Sequence, residues 1–248
     1  MGPEPRASHR IWSPASVAPV LRSLAPEIWV AEAPLRWLGV ELGRRMTVIR
    51  MSSGGLLVHS PAELTSDVRD ALAELGEVRF VVSASRFHGH LYMEQYREAY
   101  SQVELFAAPG LASRRRDLSF QGVLGNDPDP RWSEDIDQVV FPGSRFLTEI
   151  EFLHRPSGSL ILGDLCMNIG PDRPPLSRAF VRLDGVYGRF AMPRTIRLTV
   201  RNRRAARLSL ERMLEWEFDR VVVGHGDVVE SGGRQALADA LGWLLRGA

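Results

Sequence analysis

The chain has no lysine, and all 31 of its Lys/Arg positions are arginine. Schiff-base lysine chemistry and the lysine of a phosphate-cradling P-loop are therefore excluded. A GC-rich coding sequence accounts for such a bias without any functional cause. There is a single cysteine, Cys166. It cannot close an intrachain disulfide, and zinc-finger cysteine sets are excluded by count. No apolar run reaches the roughly 18 residues of a membrane-spanning helix. Residues 1–10 are polar and proline-containing and lack the apolar centre of a signal peptide, so cytoplasm is the expected compartment and no membrane partner is expected. There is no Gly-x-Ser-x-Gly elbow and no Gly-x-Gly-x-x-Gly fingerprint. A large excess of one charge is also missing. The formal net charge is +1, which gives no global field to favour nucleic acid.

What is present is an ordinary globular composition, 44% apolar and 25% charged over 248 residues. Residues 1–16 read as a loose tail, and 17–248 as one domain. Segments 27–33, 45–51 and 56–58 read as strands, the last two joined by the turn Ser52-Ser53-Gly54-Gly55. Between Leu64 and Leu75 the apolar residues Val68, Ala71, Leu72 and Leu75 share one helical face, with Thr65 or Ser66 as cap and Gly76 as stop. Strands at 78–82 and 103–107 flank a short helix at 93–100. The result is a β-α-β-α-β rhythm and hence an α/β sheet covered by helices. Further strands are expected at 139–141, 149–153, 159–162 and up to Gly224, with helices at 203–216 and 235–245. Residues 170–196, rich in proline, glycine and arginine, read as a long loop or lid.

The chemistry-bearing residues stand where apolar strands end. Val221-Val222-Val223-Gly224 leads into His225-Gly226-Asp227. Leu160-Ile161-Leu162-Gly163 leads into Asp164, and Leu56-Leu57-Val58 into His59. Such runs deliver side chains to the C-terminal edge of a sheet, with glycines allowing tight turns. His88 and His90 flank Gly89 just beyond the 78–82 strand. A carboxylate after four apolar residues is costly to bury without a metal, an arginine or backbone donors. Imidazoles with a carboxylate are the usual ligands of Zn, Fe or Mn. His154, where a strand enters a turn, is assigned a structural or surface role, and Cys166 reads as a buried inert thiol. Arg182, Arg189, Arg194, Arg197, Arg201, Arg203, Arg204 and Arg207 form a candidate basic strip for an anionic partner.

In order along the chain, Arg45-Met46-Thr47-Val48-Ile49-Arg50, Leu57-Val58-His59-Ser60-Pro61, residues 81–90, Gly163-Asp164-Leu165 and Trp216-Glu217-Phe218-Asp219-Arg220 leading into Gly224-His225-Gly226 resemble the metallo-β-lactamase-like superfamily. They resemble most closely its DUF4336 branch. The resemblance implies a four-layer αββα sandwich with metal ligands at one edge. It also exposes departures. The superfamily's His-x-His-x-Asp-His motif would begin at Ala84, which puts Ala84 and Arg86 in the first two histidine positions. His88 then takes the Asp position and Gly89 the last histidine position, with His90 one step later. Pro142-Gly143 is followed by Ser144, where the superfamily usually has histidine. Asp164 stands in the bridging-carboxylate position, His225 in the final-histidine position, and His59 where an Asp is common.

A two-metal centre is therefore not expected. The resemblance implies one divalent ion, Zn, Fe or Mn, held by His88, Asp164 and His225, with His59 and His90 as further candidate ligands. Asp164 and His225 would be the catalytic pair, and Arg86, Tyr187 and Arg189 the candidate substrate-binding residues. The implied function is that of a metal-dependent hydrolase acting on a small, anionic molecule. The alternatives are a non-catalytic ligand-binding or scaffold protein of the same fold, in which no metal is bound, and an iron-dependent oxidoreductase.

Overall fold

The computed structural model describes residues 21–142, 144 and 146–246. The expected N-terminal tail, with His9, and Gly143 lie outside these residues. Among the described residues the elements run β1 (Arg22–Ala25), β2 (Ile28–Ala33), β3 (Arg36–Trp37), β4 (Val40–Glu41), β5 (Arg44–Arg50), β6 (Leu56–His59), α1 (Ser66–Leu75), β7 (Val78–Ser83), α2 (Met93–Ala99), β8 (Glu104–Ala107) and β9 (Gly122–Val123). They continue with β10 (Ile136–Phe141), β11 (Glu149–His154), β12 (Ser159–Ile161), α3 (Pro175–Asp184), α4 (Arg194–Arg197), α5 (Arg203–Glu215), β13 (Arg220–Val222) and α6 (Gly233–Leu245).

The strands form a seven-stranded sheet, β1-β2-β5-β6-β7-β8-β9, a four-stranded sheet, β10-β11-β12-β13, and the small β3-β4 hairpin. Strand parity explains why the two larger sheets stack. In β5 and β6, Met46, Val48, Leu56 and Val58 point outward onto Val68 and Leu72 of α1 and Met93 and Tyr96 of α2. The alternate residues Ile49 and Leu57 point inward, where they join Phe80, Val82 and Phe106 against Ile150, Phe152, Ile161 and Val222 of the second sheet. Trp132 fills this inter-sheet core and meets Phe80 and Phe106 edge-on at centroid distances of 5.1 and 4.9 Å. The far face of the second sheet carries Val139, Leu153, Leu160 and Val221 onto Ala206, Leu210 and Met213 of α5 and Leu237 and Leu241 of α6. The layers are therefore α-β-β-α, as the resemblance implies.

Helix α1 begins where its cap residue dictates. Thr65 Oγ1 accepts from Val68 N, and Gly76 N closes the last turn on Leu72 O. Residues 170–196 are not the continuous loop expected from their composition. They contain α3, a ten-residue helix, and the short α4. The proline at its first turn needs no N–H partner there, and Gly185 terminates it in the left-handed region at φ 83°. Ser177 and Val181 bury one face, and Ser177 Oγ accepts from Glu41 N of the hairpin. Proline and glycine here punctuate a helix instead of preventing one. No described helix is long and apolar enough to cross a membrane.

Strands β6, β7 and β8 run parallel, as do β12 and β13. Their C-terminal ends supply the loops that carry the candidate site residues, the usual place for a site in an α/β sheet.

Candidate metal centre

Three loops meet. The loop after β7 brings His88, the loop after β12 brings Asp164, and the loop after β13 brings His225. His88 Nε2 lies 2.7 Å from Asp164 Oδ1, His225 Nε2 lies 2.8 Å from His88 Nε2, and His225 Nε2 lies 3.1 Å from Asp164 Oδ1. These three residues form a group whose ligand atoms all lie within 4.8 Å of one another. Asp164 and His225 are buried and His88 is partly open to solvent.

Each loop is pinned by backbone chemistry. Ile150 N donates to Ala84 O, tying the His88 loop of one sheet to β11 of the other. Phe87 N donates to Ser85 Oγ, and Ser85 Oγ lies 2.8 Å from Asp164 Oδ2, so Ser85 holds both the loop and the carboxylate. The loops after β12 and β13 are zipped together by Asn168 N to His225 O and Asp227 N to Asn168 O. That zip requires glycine at 226. Its φ is 86°, and a Cβ there would lie 1.9 Å from Asn168 O. Arg45 crosses from the first sheet and donates to the carbonyls of Val223 at 2.5 Å and Gly226 at 2.7 Å, on both sides of His225.

The carboxylate of Glu149 forms the floor. It accepts from Gly163 N at 2.6 Å, Asp164 N at 2.7 Å and Leu165 N at 3.2 Å. Gly163 makes room for it, since a Cβ there would lie 3.0 Å from Glu149 Oε1. Glu149 and Glu151 are both fully buried. The alternation of residues 149–153 hides this, because polar–apolar alternation normally marks a strand with one wet face. This strand is covered on both faces, so sequence reasoning missed Glu149. Only the glycine preceding Asp164 hinted at a close neighbour.

Burial and charge set the electrostatics. Burial opposes ionisation of Asp164, but His88 and His225 more than offset it and hold the carboxyl well below its ordinary range. Burial lowers the pKa of His225, with the neighbouring His88 acting the same way against Asp164. The Glu149 carboxyl is pushed up to about 8 by burial and by the Asp164 charge, against three backbone donors. Glu151 is raised well above the ordinary range by burial and by Glu149.

The hydrogen-bonding roles within the cluster follow. His225 Nδ1 lies 2.6 Å from Gly43 O. A carbonyl only accepts, so Nδ1 carries the proton, and with burial disfavouring the charged ring its neutral form presents a lone pair at Nε2. That lone pair faces a carboxylate oxygen at 3.1 Å and another imidazole nitrogen at 2.8 Å. One proton on His88 Nε2 can serve one of these acceptors, not both. Three ligand atoms thus converge with too few protons between them, an arrangement that a cation satisfies. A tetrahedral ion with ligand bonds of about 2.0–2.1 Å sets its donors roughly 3.3 Å apart, a little wider than the spacing here. Ligating histidines commonly donate their second ring N–H to a backbone carbonyl, as His225 does to Gly43. The residues present fit a single ion.

The other candidates lie apart from this group. His59 is buried on the inner face of β6, its ring 5.5 Å from that of Phe152, and neither ring nitrogen has a hydrogen-bond partner. Burial lowers its pKa to about 4. His90 faces Arg115, whose Nη1 lies 3.2 Å from His90 Nδ1. Arg86 donates to Phe146 O at 3.2 Å and packs over Gly110. The Tyr187 ring is covered by the Arg182 guanidinium at 4.2 Å, and Arg189 donates to Gly185 O. His154 is buried and shares a hydrogen bond with Ser157 Oγ at 2.7 Å. Cys166 is buried, and burial raises its thiol pKa.

A family model described as a domain of unknown function, DUF4336, matches residues 25–184. The chain belongs to the DUF4336 family. The matched span includes His88 and Asp164 and ends before His225. No curated protein matches this DUF4336 chain. Among solved structures it is similar to a metallo-β-lactamase from Pontibacter korlensis, at 11% identity and TM-score 0.63, over 93% of this chain and 100% of that one. It is similar to the metallo-β-lactamase FIM-1 from Pseudomonas aeruginosa in its mono-zinc form, at 10% identity and TM-score 0.60, over 94% and 99%. It is also similar to the Flv1 flavodiiron core from Synechocystis sp. PCC6803, at 12% identity and TM-score 0.62, over 92% and 62%. The fold is that of the metallo-β-lactamases.

Proposed function

We propose that this protein is a mononuclear metal-dependent hydrolase whose ion is held by His88 Nε2, Asp164 Oδ1 and His225 Nε2. The observation that carries this reading is the convergence of His88 Nε2, Asp164 Oδ1 and His225 Nε2 within 4.8 Å of one another, with His225 Nδ1 held on the Gly43 carbonyl. A divalent ion there would polarise an ester, amide or phosphoester and lower the pKa of a water toward about 7. The chain's own residues do the rest. Ser85 occupies Asp164 Oδ2 and so directs Oδ1 inward. Glu149 fixes the backbone that carries Asp164. His88, the one partly exposed member, marks the open side from which a substrate enters.

The sequence departures fit one ion better than two. Ala84 and Arg86 cannot replace the missing imidazoles, and Arg86 is engaged with Phe146 O. The likeness to a mono-zinc metallo-β-lactamase and to a flavodiiron core leaves both zinc and iron as candidate ions.

The test is elemental analysis of protein purified without a histidine tag. About one equivalent of Zn, Fe or Mn is expected, and it should disappear in Asp164→Ala and in His225→Ala. A protein that takes up no metal at any loading would be a scaffold of the same fold, and the hydrolase reading would fail.

A further inference from the structure

A concave site lies away from the three-residue cluster. The end of α3, residues 189–192, α4 and α6 line an open cleft of about 460 Å³, and none of His88, Asp164 and His225 lines it. Its size lies within the range of small-ligand pockets. Four arginines line it: Arg189, Arg194, Arg197 and Arg246. Many exposed arginines of this protein are spent on carboxylates, as in Arg131–Asp129 at 2.7 Å, Arg155–Asp137 at 2.8 Å and Arg207–Glu211 at 2.7 Å. Among the described residues the four cavity arginines have no such ion pair.

Three of them are nonetheless held in place. Arg189 Nε donates to Gly185 O at 2.9 Å, and Arg194 Nη1 donates to Leu183 O at 2.9 Å. The Arg197 guanidinium lies 4.6 Å from the centre of the Trp243 ring. Each of these contacts uses one N–H or none and leaves the remaining donors free. Two carboxylates also line the cavity, Asp184 and Asp239. Asp184 is spent on Thr195 N at 2.8 Å and Thr195 Oγ1 at 3.0 Å, and Asp239 accepts from Gln235 Nε2 at 2.9 Å. Four exposed guanidiniums against two carboxylates leave an excess of positive charge around the concavity. Planar guanidinium forks of this kind match phosphoryl oxygens two at a time.

We propose that this cavity binds a phosphoryl-bearing small molecule of at least two negative charges, separately from the metal cluster. The inference does not rest on the hydrolase reading and concerns a different part of the surface. The probe is inorganic pyrophosphate, titrated by calorimetry into the full-length protein at low ionic strength. Saturable binding of about one equivalent is expected. The double variant Arg194→Ala/Arg197→Ala should weaken it at least tenfold, the loss expected when charge-assisted hydrogen bonds are removed. His225→Ala, which removes a proposed metal ligand, should leave the affinity within about twofold. Arg201→Ala/Arg204→Ala, exposed arginines that do not line the cavity, should do the same. Loss of binding in His225→Ala would place pyrophosphate on the metal cluster and overturn the proposal. Equal weakening in the Arg201/Arg204 pair would mean generic surface charge and overturn it too. Absence of saturable binding in the unaltered protein would end it directly.

Discussion

At the scale of single residues, His59 and His225 share a sequence signature and have opposite surroundings. Both end an apolar strand, and both are buried. His225 finds a carbonyl for one nitrogen and Asp164 and His88 for the other. His59 points from the inner face of β6 onto Phe152 and has no partner for either nitrogen. The motif places an imidazole at a strand end, but strand parity and the opposite sheet decide what it faces. His59 carries a testable consequence. Its folded-state pKa of about 4 lies below its ordinary value of 6.5. Between these values the unfolded chain binds a proton that the folded one refuses, so stability falls as pH drops from 6.5 toward 4. The loss from this residue is roughly 3 kcal/mol, from a shift of about 2.5 units at about 1.4 kcal/mol each. Denaturation midpoints at pH 7 and pH 4.5 should differ more for the unaltered protein than for His59→Gln. Equal acid sensitivity of the two would show that His59 is not the buried neutral group described here.

At the scale of elements, β11 and α3 are where local pattern and structure part. Glu149-Ile150-Glu151-Phe152 alternates as a half-wet strand does. Two carboxyls are nonetheless enclosed, because α5 and α6 cover the face that alternation assigns to water. Glu149 is compensated by three backbone N–H groups of the Asp164 loop, which makes β11 the support of the proposed metal ligand. Glu149→Gln keeps the size but turns an NH2 toward backbone donors. It should lower metal affinity roughly 10- to 100-fold, the usual effect of disturbing a ligand's supporting contacts. Competition with a chromophoric chelator reads this directly. Unchanged affinity with an unchanged far-UV spectrum would remove Glu149 from the site. Helix α3 was hidden for a different reason. Its segment has many prolines and glycines, yet two of them sit at a first turn and just past a last turn, where they favour a helix.

At the scale of the whole molecule, the proposed ligands come from three loops on two sheets, so an ion held there would couple metal binding to folding. An ion that binds only the folded chain at a hundredfold excess over its Kd adds about 2.7 kcal/mol of stability. For a chain of this size that corresponds to roughly 5–10 °C in Tm. Zinc added to the metal-free protein should raise Tm by that amount, EDTA should reverse the rise, and Asp164→Ala should show none. A flat response in the unaltered protein would contradict a preformed centre spanning both sheets.

The sequence by itself determined the α/β rhythm and the strand-end positions of His88, Asp164 and His225, while the αββα layering came from its family resemblance. The rhythm and the strand-end positions are written in local patterns: apolar parity, helix caps, and a polar residue after a β-branched run. Only the tertiary structure decided that these three residues meet while His59 and His90 do not. It alone placed Glu149 beneath them, and it alone turned part of an arginine-rich stretch into a cavity wall. Those outcomes depend on how the two sheets face each other and on which helices cover them. They arise from contacts between residues far apart along the chain, which no local pattern encodes.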